Sequence, residues 1–553
     1  MTAPRRGPRH YAAAALGWLA LANASPASKG KKVFAHYMVG DSTKAHRQQD
    51  ILDAKAIGID GFSLNIGKTD KPFIRSTLND MFDFAGGQDF GLHISMDLWA
   101  AGDNRTEAAQ GVPDYRKFFI DFFGHPAYEH GANGWPMVTT FSDGGTDNKT
   151  WDKWRESFAQ QVFVIPNMEG TPGFWTMHPA WWEHWGEVLD GYFTWETAWP
   201  ERKNKGGKFP GDISPDLDFI KGALSHKKKY MIGLSPLQYK DAYDTNIYRA
   251  GHNNLPTRME SILAHREDIQ YVCILTWNDG PESHYIGNLW PEQNNNPEPA
   301  KYMHLPHKGW QRIIGSFNAA FKGDGIMRPL GDDVVTGAFW YKTILSETKC
   351  PEDEARIGIK KQYLIKPEGY DNARDAGNYA IVLPQGASGW SLRVHSGDKT
   401  DTITGLKAGL NYGDTTLRAG TQRVELINST GETVAVASGG RYVYGGSKCP
   451  DCTYNVNPTV IEFGKDRKDV KCNQVCKFKS GSGSGGGSGG GSGGGSGALV
   501  TLDPKIYNQD KPTIKCHPPC EYMFPPRTLA QPTTISFPPF HTSIERGGFK
   551  TTS

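Results

Sequence analysis

The chain has 553 residues, with 61 Lys and Arg set against 59 Asp and Glu, a formal charge of +2 and a pI near 8.0. So even a balance lacks the clustered positive excess that binding through a basic face requires, and no nucleic-acid partner is expected. Aromatic side chains make up 12% of the residues, 16 of them tryptophan, so flat amphipathic rings are available for stacking on an uncharged ligand as well as for packing.

Residues 1–24 carry a basic start, an apolar run over 11–22 and the small-residue site Ala22-Asn23-Ala24, which is the order of a secretory signal peptide. The run is shorter than the roughly 20 apolar residues that span a bilayer. A secreted, extracellular protein is therefore expected, with no membrane partner after cleavage. In that compartment the triplets at Asn104, Asn148 and Asn428 read as glycosylation acceptors in exposed loops.

From Val33 onward, short apolar runs alternate with longer amphipathic stretches. The runs predict strands over 33–40, 61–67, 91–98, 135–142, 161–168, 188–195, 229–236 and 271–279. Helices are predicted between or after them over 44–57, 73–85, 115–123, 215–227, 257–266 and 310–321. Eight strands alternating with helices fit a closed (β/α)8 barrel of the TIM type over 31–330. The rival, an open doubly wound sheet, would carry a G-x-G-x-x-G phosphate turn after an early strand, whereas the first run ends HYMVGDS.

The texture then changes. Over 331–447, runs such as YAIVLP, WSLRVH, TQRVELI and ETVAVAS, separated by Gly, Asn and Asp turns, predict an antiparallel β-sandwich as an accessory domain. A Cys-rich segment follows over 448–479, a Gly/Ser linker over 480–498 and a Pro-rich tail over 499–553. Six late cysteines, Cys449, Cys452, Cys472, Cys476, Cys516 and Cys520, read as disulfide partners in an exported protein, with a zinc site as the rival. Cys273, inside YVCIL, reads as a buried small hydrophobe, and Cys350 is left open between free and bridged.

In a barrel, reactive groups stand at the carboxyl ends of the strands. Reading those positions in order gives His36 and Tyr37, Asn65, Asp97, Asp143, Glu169, Trp195 and Glu196, Gln238, then Asn278, Asp279 and Glu282. An acid-rich, aromatic-rich rim suits glycoside hydrolysis, which needs one protonated carboxyl at the leaving oxygen and one ionised carboxylate, with rings to stack on sugars. The densest cluster is Trp277-Asn278-Asp279-Gly280-Pro281-Glu282-Ser283-His284-Tyr285, where Gly-Pro forces a turn between the two acids. An Asx-type turn with a solvated glutamate is the structural alternative.

The block WNDGPESHYIG, together with FAHYMVG, GIDGFSLNIG, DGYFTWETAWP and HKGWQRIIGSFNAAFK, resembles glycoside hydrolase family 71, the fungal endo-α-1,3-glucanases or mutanases, over about 33–341. The resemblance implies a barrel joined to a β-sandwich and inverting hydrolysis of α-1,3-glucan. It maps the acidic pair onto Asp279 and Glu282, with Glu282 taken as general acid and Asp279 as general base, an order open to reversal. The chain departs from the family in having Gly280-Pro281 between the acids, where an aromatic residue and Gly are usual, and in the sequence SPLQYKDAY.

Around this pair, His36, Tyr37, Asp60, Asn65, Asp97, Glu196, Asn278, His284 and Tyr285 are candidate sugar contacts, and Trp195, Trp199 and Trp277 candidate stacking platforms. Asp60 also reads as a turn acid, His36 as a buried core histidine and Trp277 as core packing. No cofactor or metal is expected, since residues 178–184 lack the H-E-x-x-H spacing and neither G-x-S-x-G nor a P-loop occurs. The partner is an uncharged polysaccharide and the protein a monomer. Two other functions fit the same residues: a wall-binding protein that has lost activity, and a hydrolase of another glucan linkage.

Overall fold

A computed structural model of the chain describes residues 30–101, 115–200, 211, 213–242, 245–293, 305–350, 365–446, 452 and 454–464. The expected leader, the Gly/Ser linker, the Pro-rich tail, the Asn104 triplet and Cys449, Cys472, Cys476, Cys516 and Cys520 lie outside the described residues.

Eight parallel strands form one sheet: β1 (Lys32–Met38), β2 (Gly61–Ile66), β3 (Gly91–Asp97), β4 (Met137–Phe141), β5 (Phe163–Ile165), β6 (Gly191–Phe193), β7 (Lys229–Leu234) and β10 (Tyr271–Ile274). Their order is β5-β4-β3-β2-β1-β10-β7-β6, and a parallel bridge between Asn167 and Phe193 joins the two outer strands. The result is a near-closed barrel in which each strand neighbours its successor in the chain. The helices α1 (Lys44–Ala56), α2 (Phe73–Ala85), α3 (115–122), α4 (Asn148–Glu156), α5 (Pro179–Trp185), α6 (Ser214–Ser225), α7 (Asn254–Ala264) and α8 (Gln311–Lys322) follow individual strands. Three of them start on side-chain caps: Thr43 accepts from the His46 amide, Asp147 from the Thr150 amide and His178 from the Ala180 amide. Among the described residues no helix is long and apolar enough to cross a membrane.

Strand alternation divides the side chains into two layers. Val33, Ala35 and Tyr37 of β1, Phe62, Leu64 and Ile66 of β2, Leu92, Ile94 and Met96 of β3, and Val272 and Ile274 of β10 belong to the core shared with the helices. Phe34, Met137, Phe163, Phe193, Met231, Tyr271 and Cys273 form a separate inner cluster. Fully burying one such side chain contributes roughly 1.5–3 kcal/mol. Inside the barrel, the Ser63 and Thr139 hydroxyls, from β2 and β4, meet at 3.0 Å, as expected where alternate strands fill one layer. Cys273 is a buried free thiol, as its apolar run implied.

Between β7 and α7 the chain inserts an antiparallel hairpin, β8 (Gln238–Ala242) with β9 (Thr245–Arg249). Beyond α8 come two four-stranded antiparallel sheets. The first, in the order β15-β12-β11-β18, contains β11 (Thr336–Tyr341), β12 (Ala376–Leu383), β15 (Gly409–Thr416) and β18 (Thr459–Glu462). The second, β14-β13-β16-β17, contains β13 (Ser391–Ser396), β14 (Lys399–Ile403), β16 (Gln422–Ile427) and β17 (Thr433–Ala437). Phe339, Ile381, Leu392, Val394, Val424 and Leu426, drawn from both sheets, share one hydrophobic cluster.

β18 arises inside the stretch expected to be a separate Cys-rich segment, and it pairs with β11. Cys350 and Cys452 are disulfide-bonded across 102 residues, which resolves the open reading of Cys350. The Asn148 triplet opens α4 instead of lying in a loop, and its amide donates to the His184 carbonyl at 2.7 Å.

Candidate active site

The block after β10 folds back on itself. The Thr276 amide donates to the His284 carbonyl at 2.7 Å and the Ile286 amide to the Thr276 carbonyl at 3.0 Å, so residues 276–286 form a closed loop at the carboxyl end of the strand. Gly280-Pro281 makes the turn, with the Ser283 amide donating to the Gly280 carbonyl at 3.0 Å. Asp279 and Glu282 therefore face one space: the Glu282 amide donates to Asp279 Oδ1 at 3.2 Å, and the ligand atoms of Asp279, Glu282 and His284 all lie within 4.8 Å of one another.

The hairpin supplies the rest. The Tyr239 amide of β8 donates to the Glu282 carbonyl at 3.2 Å, docking the hairpin beside the loop. In that register Lys240 Nζ reaches Glu282 Oε1 at 2.8 Å and Gln238 Nε2 donates to Glu282 Oε2 at 2.7 Å. His284 Nε2 stands 3.3 Å from Glu282 Oε2, and its Nδ1 3.3 Å from the Thr276 hydroxyl.

The two carboxyls consequently differ. Burial pushes Asp279 up to about 6, with nearby Glu282 adding to the shift and His284 opposing it. Burial acts on Glu282 in the same sense, but the Lys240 ammonium and His284 outweigh it and hold Glu282 well below the usual carboxylate range. The site thus separates one proton-holding acid from one ionised carboxylate. The trio Asp279, Glu282 and His284 has the ligand types for a cation. Its charge is already met by Lys240.

A second acid stands on the same rim. Glu169, after β5, accepts the Trp195 and Glu196 amides on Oε1, each at 2.9 Å, and the Asn167 amide group on Oε2 at 2.9 Å. Burial, reinforced by Glu196, pushes it up to about 8. These bonds set the β6 loop, which carries Trp195 and Trp199 to within 6.0 and 5.2 Å of the His284 ring. Arg249 of β9 pairs with Glu196 and lies over the Trp199 ring at 5.6 Å. On the facing strands Asn65 donates to Asp97 at 3.0 Å, and burial raises the Asp97 carboxyl. His36 points into the barrel, edge-on to Trp195 at 4.9 Å, and burial lowers its ring to about 3, so it is neutral.

The structure thus brings His36, Asn65, Asp97, Trp195, Glu196, Trp199, Asp279, Glu282 and His284 to one end of the barrel. Five expected contacts do not face that space. Tyr37 alternates with His36 and so faces the helices, donating to Asp50 of α1 at 3.0 Å. Asp60 precedes β2, at the opposite end of the barrel, where it accepts the Val33 amide at 2.8 Å and pairs with Lys322. Trp277 is fully buried in the outer core, and Tyr285 is buried against the His307 ring at 4.0 Å. Asn278 is spent on the backbone, accepting from the Met38 amide at 2.7 Å and donating to the Met38 carbonyl at 3.1 Å. Trp195 and Trp199 are buried walls, whereas Trp99, after β3, and Trp175, after β5, are 63% and 48% exposed. Sequence reasoning missed Lys240 and, on the rim, Trp99. The alternation QYKDA was the available signal for the hairpin.

A near-closed parallel barrel whose strand-end loops hold a split carboxylate pair walled by indoles has the architecture of a glycoside hydrolase. The chain belongs to glycosyl hydrolase family 71, whose family profile matches residues 29–472. It is similar to a mutanase of Penicillium rubens, 29% identical over 447 residues that cover 78% of this chain and 89% of the relative. It is also similar to a glucan endo-1,3-alpha-glucosidase of Schizosaccharomyces pombe, 26% identical over 68% of this chain and 82% of the relative. An ascus wall endo-1,3-alpha-glucanase of the same yeast is 26% identical over 74% and 93% respectively.

Proposed function

We propose that the protein is a secreted endo-acting hydrolase of α-1,3-glucan, working as a (β/α)8 barrel with an appended antiparallel sandwich and a separate tail. The observation that carries the chemistry is the split of one carboxylate pair by Lys240 and burial. Family membership and the mutanase and glucanase relatives support the substrate.

Asp279, which holds its proton to higher pH, donates it to the departing glycosidic oxygen. Glu282, ionised, stabilises the positive charge that develops at the anomeric carbon, orients the attacking water and takes its proton as the new C–O bond forms. This reverses the order expected from the sequence, because a carboxyl held ionised by an ammonium at 2.8 Å has no proton to give. The closest oxygens of the pair, within 4.8 Å, are nearer than the roughly 6.5–9.5 Å of inverting enzymes. The same bound is nearest the roughly 5–5.5 Å of retaining enzymes, so the anomer of the first product decides between retention and inversion.

Purified full-length protein incubated with insoluble α-1,3-glucan should release reducing ends, and NMR of the first product gives the anomer. Asp279→Asn and Glu282→Gln should each lower turnover by about 10²- to 10⁴-fold. Near wild-type turnover in either variant would remove that residue from the mechanism. An inactive but folded wild type would remove the function. A panel of glucans separates this linkage from others.

A further inference from the structure

Trp175 differs from the buried indoles of the site. It is 48% exposed, yet its Nε1 donates to the Glu169 carbonyl at 2.9 Å, and its ring meets Phe174 and Phe219 edge-on at 5.7 and 5.8 Å. It is a fixed platform at the carboxyl end of β5.

Directly beyond it, between α5 and α6, runs a groove of about 730 Å³, lined by Met177, Trp182, Glu183, Asp218, Lys221 and His226 among others. That volume lies in the range of ligand sites, roughly 300–1,000 Å³. The groove joins the platform through consecutive residues, with Thr176 and Met177 following Trp175, and with Asp218 next to Phe219, whose ring meets that of Trp175 edge-on. Farther down, the Trp182 and His226 rings stack at 3.9 Å, 7° from parallel, and His226 Nδ1 donates to the Gly222 carbonyl at 2.9 Å. Glu183, Asp218, Lys221, Ser225 and His226 all line it, so the groove carries many hydrogen-bonding groups and side chains of both charge signs. Such a surface gives nothing to an ion and much to a polyhydroxylated neutral chain.

We infer that Trp175 and the α5–α6 groove form an accessory binding site for the glucan polymer, which holds a stretch of chain outside the barrel mouth and feeds or anchors the segment being cut. This rests on the α-1,3-glucan reading for the identity of the sugar, but it concerns binding and not the reaction.

The test compares full-length wild type, Trp175→Ala, Trp175→Phe and His226→Ala for retention on insoluble α-1,3-glucan, and for half-saturation on that polymer and on a short α-1,3-linked oligosaccharide. Both Ala variants should weaken retention and raise half-saturation on the polymer by roughly threefold to tenfold, the worth of one ring stack. Turnover of the oligosaccharide should be unchanged, and Trp175→Phe should keep most of the binding. Retention and polymer half-saturation within twofold of wild type in both Ala variants would overturn the inference. So would a change confined to the sedimentation of the protein, which would make this face a self-contact. Wild type that is retained through Trp175 but cuts nothing would refute the hydrolase reading and leave this inference standing. Wild type that cuts glucan with Trp175→Ala unaffected would do the reverse.

Discussion

Lys240→Met keeps the apolar stem of the side chain and removes the ammonium that stands 2.8 Å from Glu282 Oε1. Two unit charges at that separation attract by roughly 6 kcal/mol at an effective dielectric of 20. The side chains are 23% and 16% exposed, so solvent screening leaves on the order of 2–3 kcal/mol. That is enough to bring the Glu282 titration from below the working range into it, since burial then acts with less opposition. The assay is kcat/KM on α-1,3-glucan from pH 3 to pH 8. In wild type, activity should fall as pH rises through about 6, where Asp279 loses its proton, and should stay flat on the acid side. In the variant the acid side should acquire a slope at its lower end, with a loss of about twofold by pH 3. The alkaline limb should move up by less, because Lys240 acts on Asp279 more weakly than burial, His284 or Glu282 does. A variant profile superimposable on wild type would refute the claim that Lys240 keeps Glu282 ionised. An alkaline limb that moves alone would return the acid role to Glu282.

Asn278→Ala should behave as a structural lesion. It strands the Met38 amide, at about 1–3 kcal/mol for an unsatisfied buried group, and takes from the Met38 carbonyl one of two donors, the other being Gln293 at 3.5 Å, so thermal unfolding should shift down while KM of the folded enzyme stays constant; an unmoved Tm with a raised KM would make Asn278 a sugar contact. Asp279→Asn should stabilise the fold above pH 6. The folded carboxyl binds its proton more tightly than the unfolded one, so wild-type stability falls as pH rises from about 4 to about 6, by up to roughly 3 kcal/mol. Denaturant unfolding at pH 4 and pH 7 checks the sign, and a wild-type loss over that window equal to the variant's would disprove the raised titration. Trp99→Ala removes the most exposed indole on the rim and should raise KM for glucan a fewfold with little change in Tm. An unchanged KM would take Trp99 out of the cleft.

Much of the fold was legible because it depends on local pattern. Seven of the eight barrel strands fall inside their predicted runs, as with Lys229–Leu234 inside 229–236 and Met137–Phe141 inside 135–142, and β1 starts one residue early, at Lys32. The ends were overestimated after β10, where 275–279 reads as strand but turns into the loop that carries Asp279 and Glu282. Helices α4 and α5 were passed over: their cores are tryptophans, Trp151 and Trp154 in one and Trp181, Trp182 and Trp185 in the other. Ring-rich segments of 9 and 7 residues do not show the longer 3.6-residue repeat that marks a helix in sequence. The site was half legible. Listing the polar residues at strand ends found Asp97, Glu169, Asp279 and Glu282, but it could not separate His36 from Tyr37, which differ only in which way the pleat turns them.

The sequence alone determined that the chain carries eight barrel strands, a later β-rich region, and an acidic pair in WNDGPESHYIG. Those features are written in composition, period and adjacent residues. Tertiary structure decided which acid keeps its proton. Asp279 and Glu282 are three positions apart, with the same charge and nearly the same chemistry, and they are told apart chiefly by Lys240, some 40 residues earlier, when the β8–β9 hairpin folds against the loop and joins His284 beside Glu282. Tertiary structure also buried Trp195, Trp199 and Trp277 and left Trp99 and Trp175 in the open. Burial depends on what the rest of the chain places over a ring, which neighbouring residues in sequence do not record.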